Sequence, residues 1–244
     1  MDRLVYTALT GMQRAQEAQG VTANNLANLS TPGFRREMAA LSAGWLVAGS
    51  PAGSARVQSG GEAPVNLTEP GRVTTTDRSL DIAIEGNAWL GVQDAGGNPA
   101  LTRRGDLRVD AGGQLMTGGG HVVLGEDGPL RLPSDFASLR IARDGALEIL
   151  PAGESAWTPV GRLMLQSAPP QSLSRGEDGL FRSPEAQRDA GAVVQVGALE
   201  QSNMDAASAL VELVEQSRRF ELQTKLLTAA REMDEGSAAL MRVD

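Results

Sequence analysis

The sequence predicts an α+β fold in which N- and C-terminal helices pair as a coiled coil and an antiparallel β domain, barrel- or sandwich-like, is inserted between them. Three observations carry that expectation. Helical periodicity occupies both ends of the chain; short alternating strands separated by Gly-, Asn- and Asp-containing turns occupy the middle; nothing between has the pattern of a crossover helix. The expected division is 1–36 with 197–244 as a discontinuous helical domain, 37–72 as a linker with room for short strands, and 73–196 as the β domain.

The C-terminal stretch from Ser202 to Leu240 reads as one helix. Ser202 with Asp205 three residues later resembles a capping box, and no Pro or Gly interrupts the run until Gly236. At 1.5 Å per residue it spans about 50 Å. A heptad from Ala206 places Ala206, Leu210, Leu213, Ser217, Phe220, Thr224 and Leu227 on one seam, five of the seven apolar. Glu215 with Arg219 and Glu221 with Lys225 are i,i+4 pairs in the favourable order. At the other end Met1, Val5, Ala8, Met12, Ala15, Gln19, Thr22 and Leu26 follow the same alternation, six of the eight apolar. Neither stripe can be buried alone, so the two ends are expected to pair or to enter a larger multi-chain bundle. An ordinary amphipathic helix packed on its own domain would carry a similar stripe.

Composition narrows the function classes. Lys plus Arg (22) against Asp plus Glu (30) leaves a net charge of −8 with no basic cluster, which argues against nucleic acid as a partner. Twenty-nine Gly and 12 Pro indicate many turns. Without Cys, neither disulfides nor thiolate metal sites are possible. No basic-then-apolar leader opens the sequence, and no run approaches the 18 or so apolar residues of a membrane helix, so physics alone suggests the cytosol and no membrane insertion.

The first helix ends in Asn24-Asn25-Leu26-Ala27-Asn28-Leu29-Ser30-Thr31-Pro32-Gly33-Phe34-Arg35-Arg36, where three Asn in five residues weaken the helix and Pro32 and Gly33 turn the chain. Residues 38–72 are Ala-, Gly- and Ser-rich, as in Gly49–Ala55, with Trp45 and Leu46 the main large apolar residues. From Val73 the pattern alternates. Leu80, Ile82 and Ile84 face one way, and Gly86-Asn87 is expected to turn the chain into a hairpin with Ala88–Val92. A second hairpin is expected at Leu139–Ile149, with Asp144-Gly145 supplying the positive backbone angles of a tight two-residue turn. Gly161, Leu163 and Leu165 form a further strand.

Catalytic chemistry finds little support. His121, the only His, lies in a Gly-rich turn, and Lys225, the only Lys, lies on the C-terminal helix, so triads, multi-His metal sites and Schiff-base chemistry lack members. The carboxylates of the β region have no diagnostic spacing, and Gly118-Gly119-Gly120 is followed by no Lys-Ser/Thr pair. No catalytic residue, metal site or cofactor is expected.

Read together, the N-terminal string resembles the signature of the flagellar rod and hook proteins, an axial family. The residues that carry it are Asn24, Asn25, Leu26, Ala27, Asn28, Thr31, Gly33 and Phe34, followed by the basic pair. The C-terminal string Gly197–Asp205, with Leu199, Glu200, Ser202 and Asn203, resembles the second signature, and Arg219-Phe220-Glu221 its helical continuation. The segments Leu80–Leu90, Leu101–Leu107 and Gly113–Thr117 are similar to the family's β-domain core, and Trp89 with Val92-Gln93 and Gly128–Pro133 is closer to its proximal-rod branch. Glu215 and Gln216 stand where the family usually carries bulkier apolar residues.

The resemblance implies a structural subunit of the basal-body rod, exported through the flagellar type III apparatus without a cleaved signal peptide and assembled in the periplasm with itself and other rod subunits. The seam residues expected to be buried are Val5, Met12, Leu26, Leu210, Leu213, Phe220 and Leu227. The free monomer is expected to keep 73–196 folded with both ends mobile. A distal rod or hook subunit, a dimeric binding module outside the flagellum and a β-domain hydrolase with a carboxylate site are the alternatives.

Overall fold

A computed structural model describes residues 2–38, 41–46, 56–61, 65–66, 69–133 and 135–240; the side chains of 2–8, 41–46, 56–61, 65–66, 230 and 234–240 are outside the description. The Gly49–Ala55 stretch and the side chains of Val5, Trp45 and Leu46 therefore lie outside the described residues. The chain is α+β and divides into two units, one of Met1–Ala27, Glu37–Leu67 and Met204–Asp244, the other of Asn28–Arg36 and Thr68–Asn203.

The first unit holds helix α1 (Asp2–Ala27), helix α2 (Ala206–Leu240), an antiparallel pair Leu41–Leu46 with Arg56–Gly61, and a shorter pair Glu37–Met38 with Val65–Asn66. α1 and α2 lie against each other. Gln216 Nε2 donates to Thr22 Oγ1 (2.9 Å), and Gly11 lies opposite the Gln223 amide, so α2 advances as α1 recedes and the two run antiparallel. The expected capping box gives way to a simpler cap. α2 starts one residue after Asp205, whose carboxylate accepts from the Ser208 backbone N–H (2.9 Å) and hydroxyl (2.6 Å), and these bonds hold its pKa below the usual carboxylate value. An N-cap acceptor serves the N–H two or three residues on, and Asp205 sits directly before the first helical residue, where it can reach Ser208 N.

The second unit is built on the strand Ala88–Gln93. One edge pairs with Pro99–Thr102; the other is shared end to end by Leu165–Ser167 (Leu90 opposite Leu165) and Val122–Gly125 (Val92 opposite Val123). Its alternation feeds two cores. Ala88, Leu90 and Val92 join Ile82, Leu107, Leu115, Leu147 and Leu163 in the main cluster, while Trp89 joins Leu101, Leu173 and Phe181, its ring centroid 4.7 Å from that of Phe181. The strand belongs to a ten-stranded sheet whose path runs from Ser174–Arg175 to Leu107–Val109 without its ends pairing, so the expected barrel does not close. Beside it stand a three-stranded sheet (Phe136–Ile141, Ala146–Pro151, Thr158–Arg162) and two antiparallel pairs, Ile82–Ile84 with Val194–Val196 and Val73–Thr75 with Ala198–Glu200.

Two expected hairpins differ in instructive ways. Ile82–Ile84 does not fold back on Ala88–Gln93; it pairs with Val194–Val196, because the carbonyls of Ile84, Gly86 and Ala88 face the guanidinium of Arg103. At the second site the hairpin forms, yet only Gly145 adopts positive φ (+80°). Ala142 and Ala146 close a three-residue loop in which Gly145 N donates to Ala142 O (2.9 Å), the wider turn with one left-handed residue. The expected strand through Leu163 is divided. Thr158–Arg162 pairs with Ala146–Pro151, and Leu165–Ser167 crosses to the large sheet.

A charged cluster pins the Asp94–Asn98 turn. Arg182 meets Asp94 (2.8 Å) and Asp178 (2.6 Å), and the Gly96 and Asn98 N–H groups donate to Asp94 Oδ1, each at 2.8 Å. The Arg182 bond, reinforced by the turn amides, lowers Asp94 to about 2 from 3.8; Arg182 likewise lowers Asp178 and is itself raised. A depressed carboxylate stabilises the fold above its unfolded pKa, and that contribution fades as pH falls from 3.8 toward 2. Carboxyl NMR should give Asp94 a midpoint near 2, moving up toward 3.8 in Arg182→Gln; a midpoint near 3.8 in the native chain would contradict the pairing.

Candidate functional site

Within the second unit the N-terminal signature, the C-terminal signature and the β domain meet in a buried ionic clasp. Glu200, at the end of the strand Ala198–Glu200, receives Arg103 Nε (2.9 Å) and Nη2 (2.6 Å) on Oε2, and Arg35 Nη2 (2.7 Å) and the Gly71 N–H (2.9 Å) on Oε1. All three charged side chains are 2% exposed. Arg103 also donates to the carbonyls of Ile84 (2.7 Å), Gly86 (3.0 Å) and Ala88, and Arg35 donates to Glu69 O. Burial, together with the neighbouring Arg103 charge, lowers the Arg35 pKa against the pull of Glu200.

The backbone completes the clasp. Gly33 N donates to Glu200 O (2.7 Å), and Gly33 has φ +68° with the Arg103 backbone so close that any Cβ would collide with it. This is why the turn after Pro32 ends in glycine. Asn203 accepts the Arg36 N–H (2.7 Å) and donates to Glu69 O (3.0 Å), its amide bridging two backbone segments. In the helical unit Asn25 does the same with one residue, accepting from Glu37 N (3.0 Å) and donating to Glu37 O (2.7 Å). Only a side chain with donor and acceptor side by side can serve both groups, which explains Asn at both positions. Phe34 is buried beneath the Arg175 guanidinium, 4.6 Å from its ring centroid. Thr31 Oγ1 donates to Asn28 Oδ1 (3.2 Å). Leu26, Leu199 and Ser202 are half-buried; Asn24 and Ala27 are exposed.

Among the described side chains of α2 the buried and half-buried positions are Ala206, Ala209, Leu213, Gln216, Phe220, Gln223 and Leu227, a three-four repeat. Four of them belong to the expected seam. Leu210, Ser217 and Thr224 are instead exposed, Leu210 by 52%, and their neighbours Ala209, Gln216 and Gln223 take the inward places. Both i+3 and i+4 lie on one helix face. Apolarity favours Leu210, whereas small Ala209, fully buried, permits close approach. On α1, Met12, Ala15 and Gln19 are half-buried and Thr22 is buried.

A second stripe runs along α2. Val211, Val214, Leu222, Leu226 and Met233 are 52–61% exposed, and at 100° per residue they lie across the helix from the inward face. The expected seam ran along one face only. This second face is an apolar series at steps of three, eight, four and seven, its regularity obscured by Arg218 and Lys225 on the same side.

Arg103 was the residue least visible in sequence, since nothing local marks a partner 97 positions away. Its signals are a charged pair, Arg103-Arg104, directly after the strand Pro99–Thr102, and its place in the family-like segment Leu101–Leu107. Neither His121, half-buried at the end of the Gly118–Gly120 turn, nor exposed Lys225 meets a catalytic partner among the described residues, and these residues contain no group of three or more His, Asp or Glu placed to hold a metal.

Residues 5–35 match the family described as flagella basal body rod protein, 83–149 the flagellar hook protein FlgE/F/G D1 domain, and 195–240 the flagellar basal body rod FlgEFG protein C-terminal. The chain is 40% identical over 240 residues to the flagellar basal-body rod protein FlgF of Escherichia coli, covering 94% of each chain. It belongs to the flagellar basal-body rod protein family. The FlgF protein of Salmonella typhimurium is 39% identical, with 98% of this chain and 97% of that protein covered, and FlgG of Bacillus subtilis is 28% identical over 96% and 97%. The family is structural, not enzymatic, and in this chain the clasp residues come from all three matched segments: Arg35 from the first, Arg103 from the second and Glu200 from the third. No described helix is long and apolar enough to cross a membrane.

Proposed function

We propose that the chain is a proximal-rod subunit, polymerising through its terminal helices into the periplasmic drive shaft of the flagellum with itself and other rod subunits, after export by the flagellar type III apparatus without a cleaved signal peptide. The observation that carries the assembly reading is the second apolar face of α2. α1 covers one side of the helix, and the other presents Val211, Val214, Leu222, Leu226 and Met233 to solvent. A helix apolar on two sides is built to be buried on both. In this reading α1 and α2 form a coiled coil and the outer stripe meets a neighbouring subunit, a heterologous contact that propagates as a helix of subunits. The proximal position is supported by identities of 40% and 39% to two FlgF proteins, those of Escherichia coli and Salmonella typhimurium, against 28% to FlgG of Bacillus subtilis.

The helical pairing is weak in the monomer. Its buried groups among the described side chains include Thr22 and Gln216, whose mutual hydrogen bond contributes little net energy, beside small Ala209. Hydrogen exchange of the dilute monomer should leave α1 poorly protected while Ile82–Val92 resists exchange. Strong protection from Val5 to Leu26 would contradict this.

The deciding experiment is mass spectrometry of purified basal bodies, quantifying the chain against other rod proteins. A few copies per basal body are expected. Many more would move the chain to the distal rod or hook, and its absence would overturn the proposal.

A further inference from the structure

An amphipathic helix normally turns its apolar stripe toward the element it packs on. Helix α2 does not. Among its described side chains only Ala209 and Gln216 are buried against α1, and Leu213, Phe220 and Leu227 are half-buried, while the outer stripe from Val211 to Met233 is 52–61% exposed. The free chain thus holds an amide inward and keeps leucines in water.

The inward amides are incompletely served. Gln216 Nε2 donates to Thr22 Oγ1 (2.9 Å) and to Glu212 Oε1 (3.2 Å), but Gln216 Oε1 is buried with no donor among the described residues. Turning that amide over would set its oxygen against the Glu212 carboxylate, so this orientation is the better of the two. Gln223 lies at Gly11, whose missing Cβ leaves it room, and its Oε1 is likewise buried without a donor among the described residues. Two oxygens closed to water oppose the pairing, because each gives up its hydration and receives no hydrogen bond in return.

We infer that the α1–α2 pairing of the free subunit is a holding arrangement, kept loose by Gln216 and Gln223, from which the helices are re-seated as α2 buries its outer stripe against a second subunit. This rests on the assembly reading given above. The two glutamines act as a release. Their oxygens regain hydrogen bonds as soon as α1 moves off, so opening the pair is easier than opening an apolar seam of the same shape. Helix formation does not require them, since Met matches Gln in length and helix propensity and would fill the seam with no oxygen to satisfy.

The test is the full chain carrying Gln216→Met with Gln223→Met. In hydrogen exchange of the dilute monomer, removing two unsatisfied acceptors is expected to raise the protection of α1 about tenfold or more, with Ile82–Val92 unchanged as the internal reference. In cells carrying both forms under distinct tags, the unaltered chain should be enriched over the Met variant in purified basal bodies relative to their ratio in whole cells. Protection of α1 that stays level or falls in the variant overturns the inference, since the amides then do not oppose the pairing. Raised protection with equal incorporation overturns it too, and leaves the assembly reading standing. Absence of both forms from basal bodies sinks the assembly reading itself, and the inference with it.

Discussion

Glu200→Gln is expected to destabilise the β unit by about 3–5 kcal/mol, the range for stripping one partner from a buried ionic group. The glutamine keeps volume and some hydrogen bonding but removes the only negative charge from between Arg35 and Arg103, leaving two guanidinium groups buried together. The three clasp residues should not be equivalent. Arg103→Met would orphan the carbonyls of Ile84, Gly86 and Ala88 and should cost about as much, whereas Arg35→Met leaves the neutral Arg103–Glu200 pair and should cost clearly less. Chemical denaturation of the three variants checks the order. A loss below about 1 kcal/mol for Glu200→Gln would mean that the clasp is solvated and not the closure described here.

The second large effect falls on assembly. Leu222 and Leu226 are 60% and 61% exposed, so replacing both with Asp should leave monomer stability within about 0.5 kcal/mol. If the outer stripe is buried against a neighbouring subunit, each leucine contributes about 1.5–3 kcal/mol there, and losing both weakens association by at least about a hundredfold. Motility and incorporation into basal bodies should be lost while the melting curve is unchanged. Normal incorporation would show that this face is not an interface. The contrasting pair, Leu213→Asp with Phe220→Asp, strikes the inward face and should disturb both the α1 contact and assembly.

These variants also separate what was legible from what was not. Periodicity made α2 visible because 35 residues of helix repeat a local signal many times over. It could not choose between Leu210 and Ala209, since i+3 and i+4 share a face and the choice depends on how closely another helix approaches. The Asn-rich string at the end of α1 marked a turn, but that Asn25 would bind both backbone groups of Glu37 depends on where the returning chain lies.

By itself, then, the sequence determined the α+β class, the helical ends, the alternating middle and the two signatures that place the chain in its family. Each is a local or regularly spaced pattern, written by hydrogen-bond geometry that neighbouring residues share. Tertiary structure alone decided that the sheet stays open, that Ile82–Ile84 pairs with Val194–Val196 instead of with its neighbour, and that Arg35, Arg103 and Glu200 converge. The physical reason is separation along the chain. Arg103 and Glu200 are 97 residues apart, and their pairing is favourable only after the fold has removed both from water and closed the distance to 2.6 Å.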